Sequence, residues 1–370
     1  MNILDFVCCA FACVVFIQVI CHSLLFGKFA FAKQKKQTAK TPDVSVIICA
    51  KNESENLKSF LPSILSQSYS NFEVVLINDA SHDDTLEVME AFAEKYQNIK
   101  IVNVKSNEAF WGNKKYALTL GIKASTNNHL LFTDADCKPV SRSWISEMCS
   151  EFNTEKTIVL GYGGYSKIKN SFLNKLIRFE TLVTAIQYFS FAKLGIPYMG
   201  VGRNLAYTKK QFFDANGFMG HIKIKSGDDD LFINEAATKK NTALRFTKNS
   251  VTTSKPKTTF KAWIKQKRRH ISTAKHYKPL HKSLLAIIYA TNLLFWVLAL
   301  VLLISNFNWQ IILALFSLRV IIQYIIYGIS AKKLRESDLI IFIPFLEIFL
   351  ITFQLVIFIN NLISKPNHWK

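Results

Sequence analysis

Apolar residues follow two different patterns along the chain. Between residues 42 and 282, short β-branched apolar runs alternate with amphipathic stretches, as strands and helices do in a parallel α/β sheet. The runs predicted as strands are Val44–Ala50, Phe72–Ile77, Ile101–Val104 and His129–Thr133, and the predicted helices are Ser54–Gln67 and Asp84–Tyr96. This order predicts a doubly wound α/β sheet, in which ligands bind at the carboxyl ends of the strands.

Outside this region the apolar runs are longer and nearly free of charge. Ile3–Phe26 exceeds the roughly 20 residues that cross a bilayer, with Asp5 as its one acid. Three further runs follow, Ser283–Ser305, Trp309–Ser330 and Leu339–Ile363. We therefore predict an N-terminal transmembrane anchor over residues 1–27, a soluble domain over 42–282 ending in a basic interfacial helix, and C-terminal transmembrane helices over 283–363. Ser171–Ile196 is apolar with interspersed charges, which predicts an amphipathic helix instead of a span.

The charge of the chain agrees with a membrane protein. Lys and Arg number 46 against 26 Asp and Glu, a net charge of +20. A nucleic-acid binder would explain the charge but not the apolar runs, and no groove-reading motif is present, so no nucleic-acid partner is predicted. Lys28 and Lys33 follow the first run and Lys332–Arg335 joins the last two, so the positive-inside rule places the soluble domain in the cytoplasm, at the cell (inner) membrane. Because Lys365 and Lys370 follow the last run, an interfacial final helix is an alternative.

The seven cysteines show no spacing typical of a disulfide framework or a zinc site. Four of them fall in the first apolar run. We interpret all seven as reduced thiols.

Acidic and polar residues stand where the predicted strands end. Ala50 and Glu53 follow the first strand, Asp79 the second, and Asp134 and Asp136 the fourth. Two carboxylates two residues apart in extended chain lie on one side. Such hard oxygen ligands suit magnesium or manganese, which in turn bind phosphate oxygens. For Asp134-Ala135-Asp136 taken alone, a polar turn is the alternative.

Two more charged clusters come later in the chain. Gly227–Asp230 holds three adjacent acids, whose repulsion raises at least one pKa; a solvated acidic loop is the alternative. Lys265–His270 is a basic cluster close to the second apolar run, and a helix lying on anionic lipid headgroups is its alternative. Gln266 and Arg269 share one helical face.

Together these segments resemble glycosyltransferase family 2, the inverting enzymes with a GT-A fold, in the membrane-embedded branch of ceramide glucosyltransferases and hyaluronan and cellulose synthases. The resemblance covers about Val44 to Tyr277. Its motifs are VSVIICAKNESENL, EVVLINDASHDDT, GNKKYALTLGI, LLFTDADCKP, GVGRNLAYTKKQFFDANGF, SGDDDLF and QKRRH. The last motif ends in His270 where the family usually has Trp.

The resemblance implies a role for each motif residue. The residues implied in binding the nucleoside-diphosphate sugar, with a UDP-sugar as the first choice, are Ala50, Glu53, Asp79, Lys114, Asp134, Gln266 and Arg269. Asp134 and Asp136 would hold the divalent cation, magnesium or manganese. If SGDDDLF is aligned with the family motif at its glycine, Asp229 is the catalytic base. If it is aligned at Leu231 instead, Asp228 is the base.

The family's reaction would be a single in-line displacement onto a lipid or lipid-linked acceptor. A processive polysaccharide synthase is one alternative function, and a catalytically silent membrane scaffold with the same fold is another.

We also expect Gln266 and Arg269 to cover the donor diphosphate, with Lys265, Lys267 and Arg268 facing lipid headgroups. Arg319 and Glu347 each lie near the middle of a predicted span. Because an unpaired charge there costs about 3 kcal/mol or more, we predict an ion pair between them, with Gln323 as a third partner. Independent snorkelling of Arg319 beside a protonated Glu347 is the alternative.

Overall fold

The structure, a computed structural model, describes residues 2–34, 41–105, 114–224 and 226–363. Gly112 and Asn113 of the predicted Gly-Lys segment, and the basic residues Lys365 and Lys370, lie outside the described residues. The strands are β1 Val44–Ala50, β2 Phe72–Asp79, β3 Ile99–Val104, β4 His129–Asp134, β5 Cys137–Pro139, β6 Ile158–Leu160, β7 Gly163–Tyr165, β8 Leu205–Thr208, β9 Thr242–Leu244 and β10 Thr252–Ser254. The helices are α1 Ile3–Ile20, α2 Gly27–Ala30, α3 Ser54–Leu65, α4 Thr85–Lys95, α5 Lys114–Ala124, α6 Trp144–Cys149, α7 Phe172–Leu194, α8 Lys209–Asp214, α9 Asp230–Ala236, α10 Phe260–Ile271, α11 Pro279–Ile304, α12 Trp309–Lys333 and α13 Ile343–Ile363.

A seven-stranded sheet forms the centre of the soluble region, in the order β3-β2-β1-β4-β8-β6-β9. Strands β3, β2, β1 and β4 are parallel, whereas β8 runs antiparallel to both β4 and β6. The β-branched run of β1 is buried on both faces, since helices cover the sheet on either side. The predicted α/β sheet and its first four strands are confirmed, with ends that differ by at most two residues.

The strand register brings the carboxyl ends of three strands to one edge of the sheet. Cys49 of β1 pairs with Asp134 of β4, and Ala50 pairs with Asn78 of β2. Beside this edge, β5, β10 and β7 form a small second sheet that begins directly after the Asp134-Ala135-Asp136 turn. The crevice expected from topology is therefore bounded by both sheets.

Four helices are long and apolar enough to cross a membrane: Ile3–Ala30, Pro279–Ile304, Trp309–Lys333 and Ser337–Ile363. The first combines α1 and α2 with a π-helical turn between them, and the last combines a 3₁₀ turn with α13. One N-terminal and three C-terminal apolar helices agree with the predicted arrangement. Both ends of α13 meet the soluble region, because Asp338 before it bonds Arg178 of α7 and Asn361 near its end bonds Arg268 of α10, and these contacts favour the alternative of a re-entrant or interfacial final helix.

Helix α7 lies between the soluble sheet and these spans. The predicted helix is confirmed, but it has no exposed polar face, because every residue from Phe172 to Ala192 is buried or half-buried; it packs against α2 and α13. Its buried Arg178 donates to Glu336 at 2.9 Å and to Asp338 at 2.8 Å, both in the connector between α12 and α13. The basic connector Lys332–Arg335 is thus on the same side of the bundle as the soluble region.

The apolar core runs without interruption from the sheet into the spans. A single cluster of packed buried side chains includes Ile47 of β1, Phe189 of α7, Ile326 of α12 and Leu350 of α13. The soluble region and the span bundle therefore share one hydrophobic core.

Candidate active site at the carboxyl ends of the strands

Acidic side chains line the edge where β1, β2 and β4 end. Asp79 terminates β2 and is only 8% exposed, and burial raises its pKa. Glu53 follows β1, and burial also raises its pKa, although the Asn56 amide, at 2.5 Å, opposes the shift. The neighbouring Ala50 is buried and presents backbone to the crevice. The structure thus brings these three residues to one wall of the crevice.

Asp134 and Asp136 form the candidate metal centre. One carboxylate oxygen of each and the Cys137 sulfur lie within 4.8 Å of one another. Burial and the nearby Asp136 raise the pKa of the Cys137 thiol well above its usual value, and the thiol exchanges a hydrogen bond of 2.8 Å with the Ser254 hydroxyl. A protonated thiol is a poor ligand for a hard cation. The two carboxylates remain as oxygen ligands, which fit magnesium or manganese.

Lys114 links the metal centre to the later acidic run. Its Nζ lies 2.8 Å from Asp134 Oδ1 and 3.1 Å from Asp228 Oδ2. Burial works against the ammonium, but the Asp134 and Asp228 carboxylates hold the pKa of Lys114 well above its usual value. Burial likewise opposes the charged form of Asp134, and Lys114 nevertheless lowers the pKa of this carboxyl, helped by Arg203 and Arg269. A cavity of about 20 Å³, room for one water, lies among these groups.

Asp229 differs from Asp228 in its surroundings. Its Oδ2 accepts a hydrogen bond from the Gly202 amide at 2.8 Å, and its Oδ1 accepts one from the Asp230 amide at 2.8 Å, so it is the N-cap of α9. Burial, and then the like charges of Asp228 and Asp230, raise the pKa of Asp229 to about 7. A carboxylate that gains a proton near neutral pH suits general-base catalysis. Asp228 instead forms the ion pair with Lys114.

The position before the acidic run requires a glycine for a steric reason. Gly227 has a φ of +92°, and a Cβ there would lie 2.5 Å from the Leu231 side chain. Any other residue would be strained and would push α9 outward. The glycine used to align the motif is therefore required by the turn that aims Asp228 and Asp229.

Helix α10 packs on α13 and brings Arg269 close to Asp134. Trp263 stacks on Phe353 of α13 with ring centroids 4.0 Å apart. On the same helix, Gln266 and Arg269 are half-buried, and Arg269 is near enough to act on Asp134. The predicted pairing of Gln266 and Arg269 on one face agrees with the helical geometry of α10.

Two of the basic residues on α10 do not face lipid headgroups, which corrects our expectation for them. Lys267 forms an ion pair with Glu180 of α7 and is only 12% exposed. Arg268 donates to the Asn361 side chain at 2.9 Å and to the Asn360 carbonyl at 3.3 Å, near the end of α13. The expectation was wrong because the partners belong to helices that the sequence alone does not place beside α10. Lys265 is exposed.

Arg203 lies at the site but was not singled out from the sequence. Its guanidinium stacks on the Tyr165 ring, 4.3 Å from the ring centroid, and donates to the Gly164 carbonyl at 3.3 Å. Burial opposes the charged form, yet neighbours that include Asp136 and Asp134 raise its pKa. A charged residue within the otherwise uncharged GVGRNLAY segment was the signal available in the sequence.

This fold and these strand-end carboxylates define a GT-A-type domain. The family model described as "Glycosyl transferase family 2" matches residues 45–221. Residues 45–221 thus belong to glycosyltransferase family 2.

Individual relatives agree with this assignment. Glycosyltransferase AglE of Haloferax volcanii is 28% identical over 199 residues, 52% of this chain and 60% of the relative. Poly-beta-1,6-N-acetyl-D-glucosamine synthase of Staphylococcus epidermidis is 32% identical over 111 residues, 30% of this chain and 25% of the relative. The chain thus spans less than two thirds of the length of these curated relatives.

A solved structure supports the fold over nearly the whole chain. The mannosyltransferase PcManGT from Pyrobaculum calidifontis, in complex with GDP-Man and Mn²⁺, superposes with a TM-score of 0.56 at 17% identity. The match covers 90% of this chain and 96% of the other.

Proposed function

We propose that this protein is a membrane-bound inverting glycosyltransferase that moves a sugar from a nucleoside-diphosphate sugar to a lipid or lipid-linked acceptor. The observation that carries the proposal is one crevice lined by Lys114, Asp134 and Asp229, with Asp79 and Asp136 at the adjoining strand ends and Arg269 of the basic helix near Asp134.

The proposed reaction is a single displacement at the anomeric carbon. The Asp229 carboxylate accepts the proton of the acceptor hydroxyl as its oxygen attacks, and the bond to the nucleoside diphosphate breaks with its electron pair on the leaving oxygen. Lys114 and Arg269 offset the charge that develops on the leaving group. A divalent cation held by Asp134 and Asp136 would neutralise part of the diphosphate charge. One attack with one base gives inversion of configuration.

We assign the nucleotide to the wall of the crevice that lies across from Asp229. Asp79, Glu53 and the backbone at Ala50 stand at adjacent strand ends, where ligands of doubly wound sheets bind. Gln266 and Arg269 would cover the diphosphate from the opposite side. Mn²⁺ and GDP-Man in the archaeal structure support a metal-bound nucleotide sugar, and a UDP-sugar remains our first choice of donor.

The lipid acceptor is favoured by the position of the crevice next to the spans. The chain leaves α10 and, within a few residues, enters α11, so that the base lies close to the start of a span. Four polar side chains buried between the apolar helices bond to one another, which favours a packed bundle over a polar channel at their level: Gln18, Arg319, Gln323 and Glu347. The basic connectors on the catalytic side support, by the positive-inside rule, a crevice that faces the cytoplasm at the cell (inner) membrane.

A polysaccharide synthase is the second candidate, because the staphylococcal relative carries that name. A silent scaffold is disfavoured by the intact set of acids. Mass spectrometry of membrane lipids with and without the chain decides between them, with Asp229→Asn as the inactive control. A new hexosyl lipid supports the lipid acceptor, a high-mass polysaccharide supports the synthase, and neither product supports the scaffold.

A further inference from the structure

The third acid of the acidic run is held by two hydroxyl groups. Asp230 is buried, and its Oδ2 accepts hydrogen bonds from the Thr273 hydroxyl at 2.5 Å and the Tyr277 hydroxyl at 2.6 Å. Its Oδ1 accepts a hydrogen bond from the Leu231 amide at 2.8 Å. Both carboxylate oxygens are therefore engaged by the protein, one of them by two side-chain hydroxyls from the connector that follows α10.

A second side chain on the same face of α9 makes matching contacts. Asn234 lies four residues after Asp230, so the two share a helical face. Its Oδ1 accepts from the Lys278 amide at 2.9 Å, and its Nδ2 donates to the Tyr198 carbonyl at 2.9 Å and lies 3.0 Å from His281 Nδ1. One face of α9 is thus bound to residues 273–281, the connector between α10 and α11.

This clamp joins two parts of the candidate site. Asp229, at the start of α9, lies on one side of it, and Arg269, near the end of α10, on the other. The Thr273 hydroxyl oxygen also lies 2.7 Å from the His270 carbonyl oxygen, so that its one proton is shared between the end of α10 and Asp230.

We propose that Asp230 is a positioning residue: by receiving the Thr273 and Tyr277 hydroxyls, it fixes the base-carrying end of α9 against the helix that covers the donor diphosphate and against the entry to α11. This inference rests on the proposed function, in which Asp229 is the base.

The charge of Asp230 has a second effect on its neighbour. Charged and titratable groups from four elements interact electrostatically with Asp229. They are Asp228 and Asp230 from its own segment, Lys114 and Lys115 from α5, Tyr207 from β8 and Tyr277 from the connector. Burial and the two acids together raise the pKa of Asp229 to about 7. Removal of the Asp230 charge lowers the pKa of Asp229, since one negative neighbour disappears.

The hydroxyl contacts are tested while the charge of Asp230 stays in place. Tyr277→Phe and Thr273→Val should each lower kcat roughly tenfold to a hundredfold, with little change in the KM for the donor, because a displaced base slows the chemical step. Thr273→Ser keeps a hydroxyl and should restore most of the rate. Tyr188→Phe is the matched control, since Tyr188 is a buried tyrosine that donates to the Gly161 carbonyl at 2.7 Å, away from α9.

The charge is tested by Asp230→Asn, which should move the acid limb of the pH profile of kcat/KM to lower pH. The proposal is overturned if Tyr277→Phe and Thr273→Val lose no more activity per folded molecule than Tyr188→Phe, or if Asp230→Asn keeps the parent's acid limb. Asp229→Asn separates this outcome from a failure of the proposed function. If Asp229→Asn is inactive and Tyr277→Phe is normal, the clamp alone is wrong; if Asp229→Asn is fully active, the assignment of the base is wrong.

Discussion

Arg319 and Glu347 face each other between the second and third C-terminal spans, with Arg319 Nη2 2.7 Å from Glu347 Oε1 and both side chains almost fully buried. The predicted ion pair is confirmed, and Gln323 joins it, donating to Glu347 Oε1 at 2.7 Å. Two partners were not foreseen: Arg319 also donates to Gln18 of α1 at 2.9 Å and to Asn292 of α11 at 3.1 Å. The network therefore connects all four long apolar helices.

The first prediction concerns this network. Arg319→Gln and Glu347→Gln should each destabilise the protein, because each leaves a buried charge without its counter-charge. The double variant should be more stable than the sum of the two single losses predicts, by roughly 1–3 kcal/mol. Thermal unfolding in detergent measures the four corners of the cycle, and additive losses would show that the two residues do not interact. Exchange of the two residues should recover only part of the stability, since Gln18 and Asn292 present acceptor oxygens to an arginine.

The second prediction distinguishes the two candidate bases. Asp229→Asn should leave donor binding nearly intact and lower turnover by two to four orders of magnitude, about the range for loss of a general base. Asp228→Asn should instead weaken donor binding, because it releases Lys114 from one of its two carboxylates. Calorimetric donor titration and initial rates separate the two effects. An active Asp229→Asn beside an inactive Asp228→Asn would move the base by one residue.

The third prediction is a pH dependence. Since the pKa of Asp229 is raised to about 7, its carboxyl is protonated below that pH and cannot accept the acceptor's proton. The value of kcat/KM should therefore rise with pH through about 7 and then level off. A profile that is flat from pH 5 to about pH 8 would contradict a base in this environment.

The fourth prediction concerns the metal. Asp136→Asn should abolish transfer and weaken metal-dependent donor binding, and chelation of divalent cations should do the same reversibly. Cys137→Ala is the matched control, because the buried thiol stays protonated and is not expected to bind the cation. Normal turnover of Asp136→Asn, or loss of metal dependence in Cys137→Ala, would show that the ligand set is wrong.

The fifth prediction separates the residues of α10. Arg269→Ala should lower activity even in uncharged detergent, because this residue acts on the donor side of the crevice. Lys267→Ala should lower stability in any medium, since it breaks the pair with Glu180. Lys265→Ala, at an exposed position, should matter only with anionic lipid. Equal responses of all three variants would favour a helix that serves only as a surface anchor.

The sequence predicted the parts of the fold that depend on local pattern. The apolar runs of β2 and β4 and the acids at their ends belong to single segments, so Asp79 and Asp134 could be placed together from topology. Contacts between distant segments could not be predicted, because the pattern does not give the rotation of one helix against another. Lys267 with Glu180 and Tyr277 with Asp230 are of this kind. The pair of Arg319 with Glu347 could be predicted from the sequence, because a charge in the middle of a bilayer has few possible partners.

The uninterrupted core from Ile47 of β1 through Phe189 of α7 to Leu350 of α13 means that the catalytic region and its anchor are not modular. A fragment cut before α11 would expose the underside of α7 and leave Arg178 buried without Glu336. Such a fragment should aggregate instead of yielding a smaller soluble enzyme. Spans from another protein could not simply replace these, and any detergent that loosens the bundle should also loosen the catalytic crevice.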